Sequence, residues 1–246
     1  MKTPGPALPL VILSLAFVSF TACRKAETEG GELDRIAQRT TDKASFQHGF
    51  LALYERFFSP LRNSATKICE IGIAKGGSLL LWEKYFPKAA ICGIDIRDKT
   101  ALNSERIKTY IADQADRTEL AGFIEHCGGD YDIILDDGGH LMPQQQISFG
   151  FLFRYVKPGG YYIIEDLQTS LPELFPGIHQ EKGGADSTLT MINHFIEKRE
   201  VKSLYLTGEE QRNLERDIEY VVLFRLNKRL PSITSIIKKK ELAPPA

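Results

Sequence analysis

Asp136-Asp137-Gly138-Gly139-His140 and, further on, Glu165-Asp166 concentrate the chemistry-bearing residues of this chain. Each cluster directly follows an apolar run, Tyr131–Leu135 before the first and Tyr161–Ile164 before the second. Short apolar runs bounded by turn signals read as buried parallel strands. In an open α/β sheet, ligands bind beyond the carboxyl ends of the strands. Two neighbouring strand ends would gather several carboxylates and one imidazole around a single crevice. Like charges in a crevice are costly unless protons or a cation neutralise them. The set therefore suits a hard divalent cation with a base beside it. Asp136 also reads as a brace for its own loop, bonding nearby backbone amides.

A second constellation lies upstream, where Glu70-Ile71-Gly72-Ile73-Ala74-Lys75-Gly76-Gly77-Ser78 joins a strand to a helix. A glycine turn there lets a ligand approach the backbone, and the helix N-terminus favours negative charge. Asp95, ending the second strand, suits hydrogen bonds to ribose hydroxyls. Asp113-Gln114, after the third, could accept from and donate to an adenine edge; the alternative is a solvated turn. A dinucleotide fingerprint wants G-x-G-x-x-G. Ala74 occupies the second glycine position, where a Cβ would crowd a pyrophosphate. S-adenosylmethionine has no pyrophosphate and tolerates that atom. A Walker loop fails as well, because Lys75 precedes the last glycines instead of following them. A tight turn holding no ligand is the remaining alternative.

These residues need a frame. Strands are expected at 67–72, 89–95, 107–112, 131–136 and 161–164, with helices at 78–86, 118–127 and 143–155. Such βα repetition predicts an α/β, Rossmann-like, doubly wound sheet, mostly parallel and seven-stranded, with helices on both faces. A helix near Leu189–Lys198 follows, and the β-branched run Ile218–Phe224 reads as a late strand that could run antiparallel. Lys157-Pro158-Gly159-Gly160 reads as a turn. Upstream, Leu33–Arg39 reads as a short helix. The aromatic and apolar residues from Phe46 to Phe58 recur at helical spacing, as core packing, until Pro60 closes the helix.

With 246 residues, 43% of them hydrophobic, the chain can bury one sizeable core. Its net charge of −1 is interspersed, without the basic face that a nucleic-acid partner would need. Cys23, Cys69, Cys92 and Cys127 lack metal-ligand spacing. Residues 1–23 read as a leader, because Lys2 precedes an apolar run from Leu8 to Phe20 and then Thr21-Ala22-Cys23. This resembles a bacterial lipoprotein signal with Cys23 lipidated; an uncleaved anchor and a mis-assigned start are the alternatives. Arg24-Lys25 and the free cysteines in strands favour a membrane-associated chain whose domain faces the cytoplasm. Residues 24–32 read as a linker, 33–230 as the domain, and 231–246, with Lys238-Lys239-Lys240, as a solvated polar tail.

Taken together, Glu70–Ser78, Gly93-Ile94-Asp95, Ala112–Asp116, Asp136–His140 and Ile163–Asp166 resemble the class I S-adenosylmethionine-dependent methyltransferases. More narrowly, they resemble the metal-dependent macrocin- and mycinamicin-type sugar O-methyltransferases, with their cephalosporin hydroxylase and rhamnosyl O-methyltransferase relatives. Thr41-Asp42-Lys43, His48-Gly49 and Tyr54-Glu55 share the likeness, which runs from about Leu33 to Phe195. The resemblance implies Mg²⁺ held by Asp137, Glu165 and Asp166, and catalysis by His140 as base together with Asp137. It implies S-adenosylmethionine against Glu70, Gly72, Gly76, Ser78, Asp95, Asp113, Gln114 and Asp136. The acceptor it implies is a hydroxyl of a sugar or another small polyhydroxylated molecule. Two departures stand out: Gly139 lies where serine is commoner, and a leader replaces the extra N-terminal domain of some macrolide enzymes. The second leaves acceptor and oligomeric state, a homo-oligomer included, open. Two other readings use the same fold: an NAD(P)-dependent oxidoreductase and a membrane-tethered binding module without turnover.

Overall fold

The computed structural model describes residues 31–37, 41, 49–177, 185–226 and 231–242. The leader with Cys23, most of the linker, Asp42-Lys43 and His48 lie outside the described residues. Among the described residues, no helix is long and apolar enough to cross a membrane.

Seven strands form one sheet: β1 (Lys67–Ile71), β2 (Ala90–Asp95), β3 (Ile107–Ile111), β4 (Tyr131–Asp136), β5 (Val156–Ile164), β6 (Ile218–Leu226) and β7 (Ser232–Lys239). Their order is β3-β2-β1-β4-β5-β7-β6. The first five run parallel, and β7 lies antiparallel to both β5 and β6. The order reverses between β1 and β4, so a crevice opens at their carboxyl ends.

Helices α1 (Glu32–Ala37), α2 (Leu51–Phe58) and α3 (Gly77–Tyr85) share one apolar layer with Ile68, Ile133 and Leu135. Helices α4 (Arg117–Cys127), α5 (Met142–Leu152), α6 (Thr188–Lys198) and α7 (Gly208–Asp217) share the other with Cys69, Ile71 and Ile134. Successive side chains on a strand point to opposite faces. Asp136 has the parity of Ile134, so the pleat turns it under α5, whereas Asp137 clears the strand end. By the same rule Glu70 shares the face of Ile68, where Trp82 Nε1 of α3 donates to Glu70 Oε2 at 3.2 Å.

The structure departs from the sequence expectation in four places. The solvated tail expected over 231–246 gives way to a strand, Ser232–Lys239, lying between β5 and β6. Thr234 and Ser235 are fully buried there despite their polarity. The lysine run is held as well: Lys239 Nζ donates to Phe153 O, Arg154 O and Val156 O at 3.3, 2.9 and 2.7 Å. Second, Lys157–Gly160 is not a free turn but the first half of β5, which begins at Val156. Third, the helix expected to run from Phe46 to Pro60 starts, among the described residues, at Leu51, with Gly49 at φ 76° just before it. Last, α7 went unnoticed because Glu210 and Leu214 alone are buried on it. Thr207 and Glu210 nevertheless form a capping box at its start, and Arg117 grips the Glu210 carboxylate through Nε and Nη2 at 2.8 and 2.7 Å.

Candidate active site

A pocket of about 310 Å³ lies at the reversal of strand order, within the range of small-ligand sites. Gly72 and Ala74 form one wall, Asp95 and Asp113 the next, and Gly138 and Gly139 the floor towards the acidic loops. Gly72 is required where it stands. It has φ 87°, and a Cβ would lie 2.1 Å from Asp137 O. The glycine turn and the aspartate loop therefore touch backbone to backbone. Asp137 N donates to Ile71 O at 2.9 Å, which fixes the contact.

Of the residues expected at the cofactor, Gly72, Asp95, Asp113 and Gln114 line this pocket. Asp95 already serves its surroundings: Oδ2 accepts from Ile73 N and Ala74 N at 3.0 and 3.2 Å, and Oδ1 from Arg97 N at 2.9 Å. Gln114 is a brace as well as a wall. Its Nε2 donates to both Asp136 oxygens at 3.0 and 3.1 Å, and its Oε1 accepts from Gly139 N at 2.9 Å. Glu70, Gly76, Ser78 and Asp136 are not among the lining residues. Glu70 is buried against Trp82. Gly76 has φ 83° ahead of α3, and a Cβ there would meet Leu102 Cδ1 at 2.5 Å. Ser78 is buried in α3. Asp136 is fully buried, accepting from Ser148 Oγ at 2.5 Å and Gly138 N at 3.3 Å.

At the end of the pocket, Asp137, His140 and Asp166 bring one ligand atom each to within 4.8 Å of one another. His140 Nε2 is 3.9 Å from Asp137 Oδ1 and 3.5 Å from Asp166 Oδ2. Both His140 and Asp166 are held in the left-handed region, at φ 57° and 55°. For residues other than glycine such backbone costs of order 1–3 kcal/mol and clusters at functional sites. Two cross-links hold it in place. Thr169 Oγ1 donates to His140 O at 3.0 Å, and Gln145 Nε2 donates to Glu165 O at 3.0 Å. Glu165 stands apart from the cluster of three and is buried.

Sequence reasoning did not find Gln144, Arg97 and Lys99, which also line the pocket. Gln144 had a signal, its place four residues after His140 on the first turn of α5. Gln144 Oε1 accepts from Leu141 N at 3.2 Å, and a Cβ at Gly139 would fall 2.1 Å from that oxygen. The glycine in place of a serine thus makes room for Gln144. Gln114 Oε1 and Gln144 Oε1 brace the loop, accepting from Gly139 N and Leu141 N.

Burial raises the Asp136 carboxyl to about 6, against the lowering effect of its Ser148 and Gln114 hydrogen bonds. An acid whose native pKa exceeds its unfolded value of about 3.9 binds more protons folded than unfolded, so stability falls as pH rises between the two. The expected result is a thermal midpoint that this group lowers between about pH 4 and pH 6. Asp136→Asn should remove that slope. An identical slope in the variant would assign it to other groups.

No protein-family model matches the chain. It is 39% identical over 185 residues to the 8-demethyl-8-(2-methoxy-alpha-L-rhamnosyl)-tetracenomycin-C 3'-O-methyltransferase of Streptomyces olivaceus, covering 71% of this chain and 46% of that relative. It is 35% identical over 174 residues to the mycinamicin VI 2''-O-methyltransferase of Micromonospora griseorubida, covering 68% of this chain and 43% of that one. The chain thus spans less than half the length of these relatives. Among solved structures, it superimposes on the MycE methyltransferase of the mycinamycin biosynthetic pathway, in complex with Mg and SAH, with a TM-score of 0.69 at 29% identity. That match covers 87% of this chain and 56% of MycE. This chain carries the class I S-adenosylmethionine-dependent methyltransferase fold, and the relatives it resembles are sugar O-methyltransferases.

Proposed function

We propose that the chain is an S-adenosylmethionine- and Mg²⁺-dependent O-methyltransferase acting on a hydroxyl of a sugar or other small polyhydroxylated molecule. The observation that carries this reading is the meeting of Asp137, His140 and Asp166 at the end of the glycine-walled pocket. The donor chemistry fits the metal, because Mg²⁺ takes oxygen ligands and is commonly held by one or two carboxylates. Asp137 and Asp166 would hold it, with Glu165, one residue from Asp166, as the third carboxylate. Bound there, the ion would supply positive charge beside the acceptor hydroxyl, and S-adenosylmethionine would supply the electrophilic methyl group.

The chain's own residues do the rest. Gly72 and the Asp137 loop set the distance between the pocket and the acidic cluster. His140 Nε2, beside Asp137 and Asp166, is placed to take the acceptor's hydroxyl proton. Its Nδ1 is buried without a hydrogen-bond partner among the described residues. The Thr169 bond to His140 O keeps the ring's backbone in register with Asp166. In-line transfer depends on such alignment, which can be worth roughly 7–11 kcal/mol in ideal cases.

Calorimetric titration of the full chain with S-adenosylmethionine, and separately with NADH, each with and without Mg²⁺, tests the reading. Saturable binding of S-adenosylmethionine alone is expected. Binding of NADH instead would overturn it in favour of an oxidoreductase. Ala74, at φ 46° in the pocket wall, argues against that outcome. Binding of neither ligand would favour a module without turnover.

A further inference from the structure

The sheet ends in β3 on one side and β6 on the other, and its two edges are finished differently. A strand at an edge leaves a row of backbone N–H and C=O groups unpaired, a ready template for another strand. β3 is short, carries the exposed Lys108 and is covered by its own preceding turn. Ile107 N donates to Ser104 Oγ at 3.0 Å, Thr109 N to Asn103 Oδ1 at 2.8 Å, and Ser104 N to Ile107 O at 3.0 Å. On β6, Arg199 closes only the start: Nη2 donates to Ile218 O at 2.8 Å and Nη1 to Glu219 O at 3.1 Å. Among the described residues, the backbone from Tyr220 to Leu226 pairs with β7 alone.

The open stretch begins with Tyr220-Val221-Val222-Leu223-Phe224, which holds no charge and no proline, and each of its side chains is half-buried. Charges and prolines are the usual guards of an exposed edge. The nine residues of β6 are also self-complementary about their middle. Two copies paired antiparallel on a two-fold axis at Val222 bring Tyr220 of one opposite Phe224 of the other, and Val221 opposite Leu223. Glu219 then comes opposite Arg225, the charged residues on either side of the apolar five. Both are exposed, with Glu219 Oε2 3.3 Å from Lys238 Nζ of its own chain. Aromatic pairs and opposite charges are favourable cross-strand combinations. Each is made twice, because a two-fold interface presents the same patch from both copies. The turn at Asn103-Ser104 already covers β3, so the association closes at two copies instead of growing from edge to edge.

We propose that β6 is a dimerisation edge: two copies of this chain join β6 to β6, antiparallel about Val222, in one continuous sheet. β6 runs in the direction of β5, since β7 is antiparallel to both. An antiparallel β6–β6 pair therefore points the parallel strands of the two copies in opposite directions. The two crevices open at opposite ends of the joined sheet, so each copy keeps its own site. The inference stands apart from the methyltransferase reading of that site.

The test is the oligomeric state of the full chain by sedimentation equilibrium at micromolar concentration, with the thermal midpoint as the check of folding. Wild type is expected to be a dimer. Arg225→Glu and Glu219→Arg each set like charges opposite one another twice per dimer, so each variant alone should associate about tenfold or more weakly. Mixed in equal amounts, the two variants should recover the dimer, since both cross-strand pairs are then opposite in sign again. Association through any other surface, the apolar run near the N-terminus included, would be indifferent to these charges. A monomeric wild type would overturn the proposal. So would single variants that dimerise as tightly as wild type, or a mixture that does not recover. Should Glu219→Arg fail to fold, Arg225→Glu decides alone.

Discussion

Asp137→Ala is expected to abolish Mg²⁺-dependent methyl transfer while leaving S-adenosylmethionine binding largely intact. The backbone at this position is already tied down, because Asp137 N donates to Ile71 O at 2.9 Å. Alanine keeps that bond and the close approach to Gly72. What it removes is a carboxylate that lies 3.9 Å from His140 Nε2 and belongs to the cluster with Asp166. In the proposed mechanism this carboxylate does two things: it holds the cation and it orients the base. A bound cation that stabilises charge on an acceptor oxygen is worth several kcal/mol, or about a thousandfold in rate. Transfer of labelled methyl from S-adenosylmethionine to an acceptor glycoside, with and without Mg²⁺, provides the readout. Wild type stripped with a chelator should match the variant, and added Mg²⁺ should restore the wild type alone. Equal activity of the two proteins in Mg²⁺ would remove Asp137 from the mechanism.

Replacing His140 should separate the base from the metal. The ring stands at φ 57°, a conformation that asparagine tolerates better than most residues. His140→Asn therefore disturbs the loop less than His140→Ala, and both should be made. Turnover is expected to fall by ~10²–10⁴-fold, the usual range for losing a general base. Mn²⁺ and cofactor should still bind to both variants, because Asp137, Asp166 and the pocket walls remain. A loss of metal binding equal to the loss of turnover would instead make His140 a ligand. The geometry leaves that outcome open to measurement, since Nε2 lies 3.5 Å from Asp166 Oδ2.

Much of this site was legible in the residues. Apolar runs ending in Asp136-Asp137 and in Glu165-Asp166 placed the acidic loops at strand ends, since buried parallel strands are short and continuously apolar. Glycines between β1 and α3 marked the close approach that Gly72 makes. Ala74, at the second glycine position, argued against a dinucleotide site and lies in the pocket wall. The parallel sheet followed from alternation of strands and helices, a pattern set locally and read locally.

Other features depend on contacts between distant residues, and no local pattern records them. Asp136 and Asp137 are neighbours in sequence, yet pleat parity buries one under α5 and leaves the other in the pocket. Gln114 looked like a ligand contact and is also a brace, because Asp136 and Gly139 come to its amide only in the folded chain. Lys238-Lys239-Lys240 looked like a solvated tail because three like charges are costly to bury. The carbonyls of Phe153, Arg154 and Val156, between α5 and β5 and more than eighty residues away, accept from Lys239 and remove much of that cost. Tyr54 read as one more ring in an apolar row; Thr234 of β7, far downstream, meets its hydroxyl at 3.1 Å. The sequence by itself determined the order of strands and helices and the chemistry at their ends, because backbone periodicity and turn residues act over a few positions. Tertiary structure decided which of those polar groups face the pocket and which hold it together, because hydrogen-bond satisfaction of a buried group is settled by whatever the fold brings against it.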